Sequence, residues 1–396
     1  MHTRGEMNIS SRAQALSHSA IAEMGDLARQ SAGPGARAVI DLSEGDPSFA
    51  TPPRIIDEAV EGLRKGLTHY GSARGLPALR ECLLRQKEFQ GADYRADANI
   101  VVTPGAKFAL YAALMCLVDP GDRVVVIDPS WVSYDQMIRL AGGVPVHLRT
   151  TAGGRFFPEL GDGGSLASAK AWIINTPHNP TARVYEEGEL ARLLRAAADT
   201  DSVIISDEIY KDVVFDAAHV SAARFAEFRD RVVVVGGFSK TYAMTGWRLG
   251  YVVGPQTVLA KIAQFQQHTA TCAAPFVQYA GIAAMTSAAV KDAVKTMLTE
   301  YEERRRAVQT AIDAMGAVDL AAMEGTFYAW LGISRLGVNS RDFALRLLRE
   351  HDVSVVPGIA FGESGEGWIR LCYGHQGLEI LRQALGRLGD FVGRLG

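Results

Sequence analysis

A serine, a lysine and an arginine follow closely on one short apolar run, and these residue types could do carbonyl chemistry. The run 232–235 consists of four valines, which is typical of a strand buried on both faces, and two glycines end it. Lys240 therefore comes just after a buried strand, with Ser239 before it and Arg248 eight positions later. A lysine amine in a partly buried place titrates below its free value of about 10.4, and the neutral amine attacks aldehydes. Such an amine forms the Schiff base that holds pyridoxal 5'-phosphate (PLP), although a solvated loop lysine is the ordinary alternative.

Two further side chains suited to this chemistry follow the strand predicted at residues 203–206. Asp207 and Tyr210 stand three residues apart, so both can reach one point as the chain leaves the strand, whereas Glu208 should face elsewhere. A carboxylate beside a pyridine nitrogen keeps that nitrogen protonated, and the protonated ring stabilises a carbanion. We expect Asp207 to contact the ring nitrogen and Tyr210 the ring 3'-oxygen; a solvated turn is the plain alternative.

An anion site is predicted at the turn that follows the strand at residues 100–103. Gly105, Ala106 and Lys107 lead from this strand into a helix. The first N–H groups of a helix have no partner within it, and together with the positive end of the helix dipole they attract a phosphate. Because many strand-to-helix turns contain glycine, this motif is weak when taken alone.

An aromatic residue and a second arginine complete the set of candidates. Trp131 follows another predicted strand, where it could stack on a cofactor ring or simply fill the core. Arg370 interrupts the apolar alternation of the last strand, so its guanidinium needs an anionic partner. That partner is either a substrate carboxylate, which the planar fork of arginine binds with two hydrogen bonds, or a structural acid.

The sequence Ser-Lys-Thr-Tyr-Ala-Met-Thr-Gly-Trp-Arg-Leu-Gly-Tyr, residues 239–251, resembles the signature of class I aminotransferases, the PLP enzymes of fold type I. The chain is most similar to the bacterial aspartate aminotransferase subgroup, from about Ser11 to the C-terminus. The interval of about thirty residues between Asp207 and the Ser-Lys pair is similar too. The resemblance implies PLP as the cofactor. It also implies reversible transfer of an α-amino group from an L-amino acid to a 2-oxo acid.

The resemblance assigns roles to the residues that match the family's motifs. Lys240 would form the Schiff base and, once released, act as general base and acid in a 1,3-proton shift. Asn179, in the pattern Asn-Thr-Pro-His-Asn-Pro-Thr, would donate a hydrogen bond to the 3'-oxygen. The cofactor phosphate would be held by Gly105, Ala106, Lys107, Ser239, Arg248 and, from a neighbouring subunit, Tyr70.

Other matched positions concern the substrate. Gly45 would bring its backbone to the substrate carboxylate, which Arg370 and Asn179 also bind. A lysine at the position of Lys107 can meet the distal carboxylate of aspartate or glutamate, so a dicarboxylic substrate is expected, although this lysine also suits phosphate contact. Ala182 stands where the family has glycine, which leaves the geometry of that turn open if the position needs a positive φ.

Strands alternate with helices through the middle of the chain, which predicts an α/β fold with a mainly parallel sheet. The resemblance makes this the PLP-dependent transferase fold type I. We place a large PLP-binding domain at residues 50–287 and a smaller α+β domain at residues 1–49 together with 288–396. The active site is expected between them and against a second subunit, because the tyrosine matching Tyr70 crosses a dimer interface in the family. A tyrosine that packs at the surface is the alternative.

The bulk composition limits the other partners. The 396 residues carry a net charge of -3, which gives no sign of a nucleic-acid or membrane partner. The four cysteines lack metal-binding spacing and are typical of reduced thiols, so we expect no metal. No apolar run is as long as a membrane span, and the polar first residues lack the core of a signal peptide. A cytoplasmic location is the resulting expectation, and the resemblance at Tyr70 implies a homodimer.

The motifs indicate the cofactor but not which bond to the substrate Cα breaks. A C–S β-elimination or a cyclopropane-forming synthase reaction on the same fold stays open. Transamination of aromatic amino acids, alanine, prephenate or basic amino acids is open as well. A non-enzymatic module of this fold that senses ligands for transcription is a further alternative.

Overall fold

The computed structural model of the chain describes residues 9–31, 38–160, 166 and 168–395. Residues 1–8 and 32–37, which fall in the segment that we assign to the smaller domain, lie outside this description. Within the described part, no helix has the length and apolar character needed to cross a lipid bilayer.

The strands are β1 (Ile40–Asp41), β2 (Ile100–Thr103), β3 (Arg123–Asp128), β4 (Val144–Arg149), β5 (Ala169–Asn175), β6 (Val203–Asp207), β7 (Val232–Gly237), β8 (Gly250–Val253), β9 (Asp319–Leu320), β10 (Tyr328–Gly332), β11 (Val353–Ser354), β12 (Val356–Pro357) and β13 (Trp368–Cys372). The helices are α1 (Ser11–Gln14), α2 (Ala20–Ser31), α3 (Pro53–Arg64), α4 (Pro77–Leu84), α5 (Ala106–Leu117), α6 (Ser133–Leu140), α7 (Glu187–Asp199), α8 (Gln256–Thr269), α9 (Pro275–Thr286), α10 (Ala288–Met315), α11 (Ser340–His351) and α12 (Leu378–Leu395).

Seven strands form one large sheet in the order β2-β8-β7-β6-β5-β3-β4. The five strands from β4 to β7 in this order pair in parallel, while β8 is antiparallel to both of its neighbours. The carboxyl ends of β5, β6 and β7 therefore lie side by side at one edge, where α/β sheets bind their ligands. The predicted mainly parallel α/β fold is confirmed.

Both faces of this sheet are buried, which explains why its strands are almost continuously apolar. Val125, Trp172 and Val234 point into a core shared with α4, α7 and α9. Val124 and Val235 point to the other face, into a core shared with α5, α6 and α8. This strict alternation fixes which residue at each strand end faces the site.

A second sheet has the order β12-β13-β10-β9 with antiparallel pairing, and β1 pairs in parallel with β11. The apolar face of this second sheet packs with α11 and α12 around a separate core that includes Phe343, Leu371 and Phe391. The two sheets supply opposite walls of the site.

The sequence pattern predicts continuous helices at residues 76–89 and 274–314, and the structure interrupts both. The helix predicted at residues 76–89 ends at Leu84, because Gln86 is extended (φ -65°, ψ 148°), and one 3-10 turn follows. The helical pattern at residues 274–314 is divided into α9 and α10 by the extended Ser287 (φ -73°, ψ 128°). The division into domains at residues 50–287 and 288–396 stays a prediction.

Candidate active site

A cavity of about 530 Å³ lies at the carboxyl ends of β5, β6 and β7 and is closed on the far side by β10 and β13. Most of the residues that the sequence singled out line it, although they come from distant parts of the chain. They are Gly45, Ala106, Lys107, Trp131, Asn179, Asp207, Tyr210, Ser239, Lys240, Arg248 and Arg370.

Lys240 enters this cavity from the loop after β7, and its Nζ donates a hydrogen bond of 2.6 Å to the carbonyl oxygen of Gly45. Burial lowers the pKa of Lys240 from 10.5 to about 8. Arg370 and Arg248 lower it further, while Asp46 acts in the opposite direction. A substantial fraction of the amine is therefore neutral near pH 7.5, as nucleophilic attack on an aldehyde requires.

Asp207 ends β6 and is almost completely buried. The hydroxyl of Tyr134 donates to its Oδ2 over 2.7 Å, and the N–H of Ile209 donates to its Oδ1 over 3.2 Å. Burial raises the pKa of Asp207 from 3.8 to about 6, although both hydrogen bonds oppose the rise. A cationic partner would hold this carboxylate in its ionised form.

Asn179 and Arg370 meet in the same cavity. The N–H of Asn179 donates to Asn175 Oδ1 over 2.8 Å, and Asn175 also donates to the backbone oxygen of Asp207 over 2.9 Å. Arg370 Nη1 donates to Asn179 Oδ1 over 3.0 Å. Ala182, in the same turn, has a φ of 62°, so the position where glycine was expected does require the left-handed conformation.

Arg370 is buried and makes its hydrogen bonds to neutral oxygens. Its Nη2 donates to the carbonyl oxygen of Ser43 over 2.5 Å, and its Nε has no hydrogen-bond partner within the described residues. Among those residues no carboxylate forms an ion pair with it, so the structural alternative of an internal acid partner is not observed. A buried guanidinium in this state fits an incoming carboxylate.

The opposite end of the cavity fits a phosphate. Gly105 has a φ of 87°, and a Cβ at this position would lie only 2.4 Å from Nη2 of Arg248. The helix α5 begins at Ala106, so its first N–H groups point to the same place as the guanidinium. The glycine thus lets a cation approach a helix N-terminus, which is a strong combination for a dianion.

Lys107 and Trp131 form a contact at the mouth. The Nζ of Lys107 lies 4.9 Å from the centroid of the Trp131 ring, and that ring meets Tyr134 edge to face at 5.4 Å. Partial burial of the amine, together with Arg248, lowers the pKa of Lys107. Tyr70, by contrast, is 87% exposed and does not line this cavity.

Sequence reasoning missed three side chains that complete the site: Tyr134, Asn175 and Tyr328. Tyr134 comes one turn after Trp131, and Asn175 ends the strand before Asn179, so the predicted strand ends could have indicated both. Tyr328 is the first residue of β10, and its local sequence gives no signal beyond that of a strand.

The donors and acceptors present fit PLP at each of its functional groups. There are an amine for the aldehyde, a buried carboxylate for the ring nitrogen and an aromatic ring for stacking. The glycine turn with its arginine provides for the phosphate. Among the described residues no cluster suited to a metal ion is present.

Comparison with known proteins identifies the family. The profile described as "Aminotransferase class I and II" matches residues 37–388. The chain is 37% identical over 387 residues to an aspartate aminotransferase of Pyrococcus abyssi, with 96% of this chain and 97% of that protein covered. It is 35% identical over 386 residues to aromatic-amino-acid aminotransferase 2 of Thermococcus litoralis, with 96% and 97% covered.

Solved structures agree with this result. The aspartate aminotransferase of Thermus thermophilus with maleate superposes with a TM-score of 0.90 at 33% identity, covering 97% of this chain and all of that one. The Thermotoga maritima aspartate aminotransferase gives a TM-score of 0.90 at 36% identity, with 97% of this chain and 100% of that chain covered. The chain belongs to the class I and II aminotransferases and is a PLP-dependent aminotransferase of fold type I.

Proposed function

We propose that this aminotransferase acts on an acidic L-amino acid, aspartate or glutamate, with a 2-oxo acid such as 2-oxoglutarate as acceptor. The observation that carries the proposal is the pair of cations at Arg370 and Lys107. Both line one cavity, and neither forms an ion pair with a carboxylate within the described residues. Two cations without an ion-pair partner suit a ligand with two carboxylates. The relatives named aspartate aminotransferase support the same substrate class.

The roles of the residues follow from their contacts. PLP supplies, when bound, a protonated ring that accepts electrons from the substrate Cα. Asp207 keeps the ring nitrogen protonated, since a buried carboxylate gains most from a cation beside it. Asn179 and Tyr210 donate to the 3'-oxygen. The phosphate end is held by the backbone N–H groups of Gly105, Ala106 and Lys107 at the start of α5, by Ser239 and Arg248, and by the partner subunit's Tyr70.

Lys240 moves the proton. With the cofactor bound, its amine would act as general base at the substrate Cα and then as general acid at C4'. In the protein without cofactor, the amine donates to the carbonyl oxygen of Gly45. Arg370 and Asn179 fix the substrate carboxylate, which orients the Cα–H bond toward Lys240.

We further propose a homodimer. The outward face of α3 exposes Ile56, Val60 and Leu63, which are spaced as one helical stripe. These side chains share a groove with Arg248, so a second copy on this surface would lie next to the phosphate end. Tyr70 is exposed, as the predicted contribution to the partner's site requires. Sedimentation at micromolar concentration should give the mass of two chains.

The location in the cell is also a proposal. Cys82, Cys116, Cys272 and Cys372 are all free thiols in the structure. Unpaired cysteines are typical of a reducing compartment, which supports the cytoplasm.

An aromatic substrate is the second candidate. The aromatic aminotransferase of Thermococcus litoralis is nearly as similar as the aspartate enzymes, and Ile21 and Leu110 give the cavity an apolar part. Glu44 and Asp46 line it too, so its charge is mixed.

The test is spectroscopic. Purified protein with PLP should absorb in the near-visible region, and L-aspartate or L-glutamate should bleach this band. A 2-oxo acid should then restore it. Bleaching by phenylalanine but not by the acidic amino acids would favour the second candidate. Release of ammonia and a 2-oxo acid without any acceptor would indicate an elimination instead.

A further inference from the structure

Tyr328 contacts three parts of the site at once, although no role has been assigned to it. It begins β10, is buried, and lines the cavity between the two sheets. Its hydroxyl lies 2.7 Å from the hydroxyl of Tyr210. Its ring centroid lies 4.3 Å from the guanidinium carbon of Arg370.

The strand register explains the contact with the arginine. Tyr328 pairs with Cys372, and Arg370 is two residues before Cys372 on the antiparallel neighbour. Diagonal neighbours of this kind project from the same face of a sheet, within reach of long side chains. The ring therefore covers the guanidinium from one side, while Asn179 and the Ser43 carbonyl hold it at its edge.

The bond between the two tyrosines has a direction that the chemistry selects. Each hydroxyl has one proton to give. Burial raises the pKa of Tyr210 well above its ordinary value, so Tyr210 stays protonated. If Tyr210 gives its proton to the ring oxygen of the cofactor, Tyr328 must be the donor between them. A hydrogen bond donated to the Tyr210 oxygen polarises the Tyr210 hydroxyl and strengthens the hydrogen bond that Tyr210 donates in turn.

The third contact concerns the loop that holds the catalytic amine. A Cβ on Gly45 would lie 2.1 Å from the Tyr328 hydroxyl oxygen, so only glycine fits there. The carbonyl of this same Gly45 accepts the hydrogen bond from Lys240. The packing of Tyr328 thus accounts for Gly45 independently of any approach to the substrate.

We propose that Tyr328 is a positioning residue with two separable effects. Its hydroxyl donates to Tyr210 and so sets the strength of the hydrogen bond to the cofactor oxygen. Its ring holds the guanidinium plane of Arg370 for the substrate carboxylate. This inference rests on the roles proposed above for Tyr210 and Arg370.

The experiment separates the hydroxyl from the ring. Holoenzymes carrying Tyr328→Phe, Tyr328→Ala, Tyr210→Phe and the double change Y210F/Y328F are titrated with acid and base while the cofactor absorbance is followed. Tyr301→Phe is the matched control, because Tyr301 is also buried and its hydroxyl has no partner within the described residues. The dissociation constant of maleate is measured on each protein, with 3-phenylpropionate as the probe if the wild type does not bind maleate.

The hydroxyl effect predicts a shift in the pH midpoint. In Tyr328→Phe the pH at the midpoint of the absorbance change should rise by about 0.5 to 1 pH unit. Without the Tyr328 hydroxyl, Tyr210 donates a weaker hydrogen bond, and more negative charge stays on the ring oxygen of the cofactor. That charge holds the proton on the neighbouring Lys240 nitrogen more tightly. Because Tyr328 acts through Tyr210, the double variant should have the same midpoint as Tyr210→Phe.

The ring effect predicts a change in carboxylate affinity. Tyr328→Phe should leave the dissociation constant within about twofold of the wild type, whereas Tyr328→Ala should weaken binding about tenfold. Additive midpoint shifts in the double variant, or no shift in Tyr328→Phe, would overturn the hydroxyl effect alone. No shift in Tyr210→Phe would overturn both the role proposed for Tyr210 and this inference. Equal affinity in all variants would overturn the ring effect, and failure to bind maleate alone would count only against the acidic substrate class.

Discussion

The replacement Asp207→Asn should make the protein without cofactor more stable, by an amount that grows from about pH 4 and is complete above about pH 6. Asp207 is buried, and burial raises its pKa from 3.8 to about 6. The folded chain therefore binds this proton more tightly than the unfolded chain. The resulting stabilisation is present at low pH and is lost as the pH rises from 3.8 to 6, after which the deficit is constant.

The size of the effect follows from that interval. A gap of about two pKa units corresponds to about 3 kcal/mol of unfolding free energy. For a chain of this length, such a change moves the midpoint of thermal unfolding by about 3 to 4 °C. Asparagine has nearly the same shape as aspartate and carries no charge. The thermal midpoint of the variant should therefore lack the pH dependence that Asp207 gives to the wild type.

The assay is thermal unfolding of the cofactor-free proteins from pH 4 to pH 8. The variant and the wild type should unfold together at pH 4, and the variant should be higher by a few degrees at pH 8. Asp292→Asn, in which the replaced side chain is 77% exposed, is the control and should match the wild type throughout. A difference that is the same at pH 4 and pH 8 would refute the reasoning. With cofactor bound, Asp207→Asn should catalyse transamination at least about 10²-fold more slowly, because the ring nitrogen loses its carboxylate partner.

Three further outcomes follow from the site. The rate at which cofactor-free protein combines with PLP should increase with pH around a midpoint of about 8, and Lys240→Ala should abolish the absorbance band, as spectrophotometry will show. Arg370→Lys replaces a planar fork by a point charge and should raise KM for every amino acid about 30- to 100-fold in steady-state kinetics. Lys107→Ala should raise KM for aspartate about tenfold and leave KM for phenylalanine nearly unchanged; equal effects on both would place Lys107 at the phosphate instead.

The sequence was a good guide wherever the site is built from strand ends of the parallel sheet. Asp207, Asn179 and Lys240 follow β6, β5 and β7, and parallel pairing brings those ends together without any further information. The apolar run before each residue identified the strand, and the polar residue after it identified the site. A short-range pattern was sufficient because the topology is regular.

The same approach could not find the contacts between the sheets. Tyr328 meets Tyr210 across 118 positions of chain, and it meets Arg370 only because of the register between β10 and β13. An antiparallel register shifted by one residue would point Tyr328 to the opposite face. A strand pattern contains no information about that register, so the second wall of the site needed the structure.

Burial explains why an acid and a base of this site both tend toward neutrality without the cofactor. It raises the pKa of Asp207 to about 6 and lowers that of Lys240 to about 8. Meanwhile Arg370 and Arg248 donate hydrogen bonds to neutral oxygens. In a bound ligand, a protonated ring nitrogen supplies a positive charge to Asp207, and a phosphate supplies negative charge to Arg248. Binding of PLP should therefore stabilise the fold more at pH 8 than at pH 5. At the higher pH the buried Asp207 carboxylate is ionised, and the protonated ring nitrogen compensates its charge.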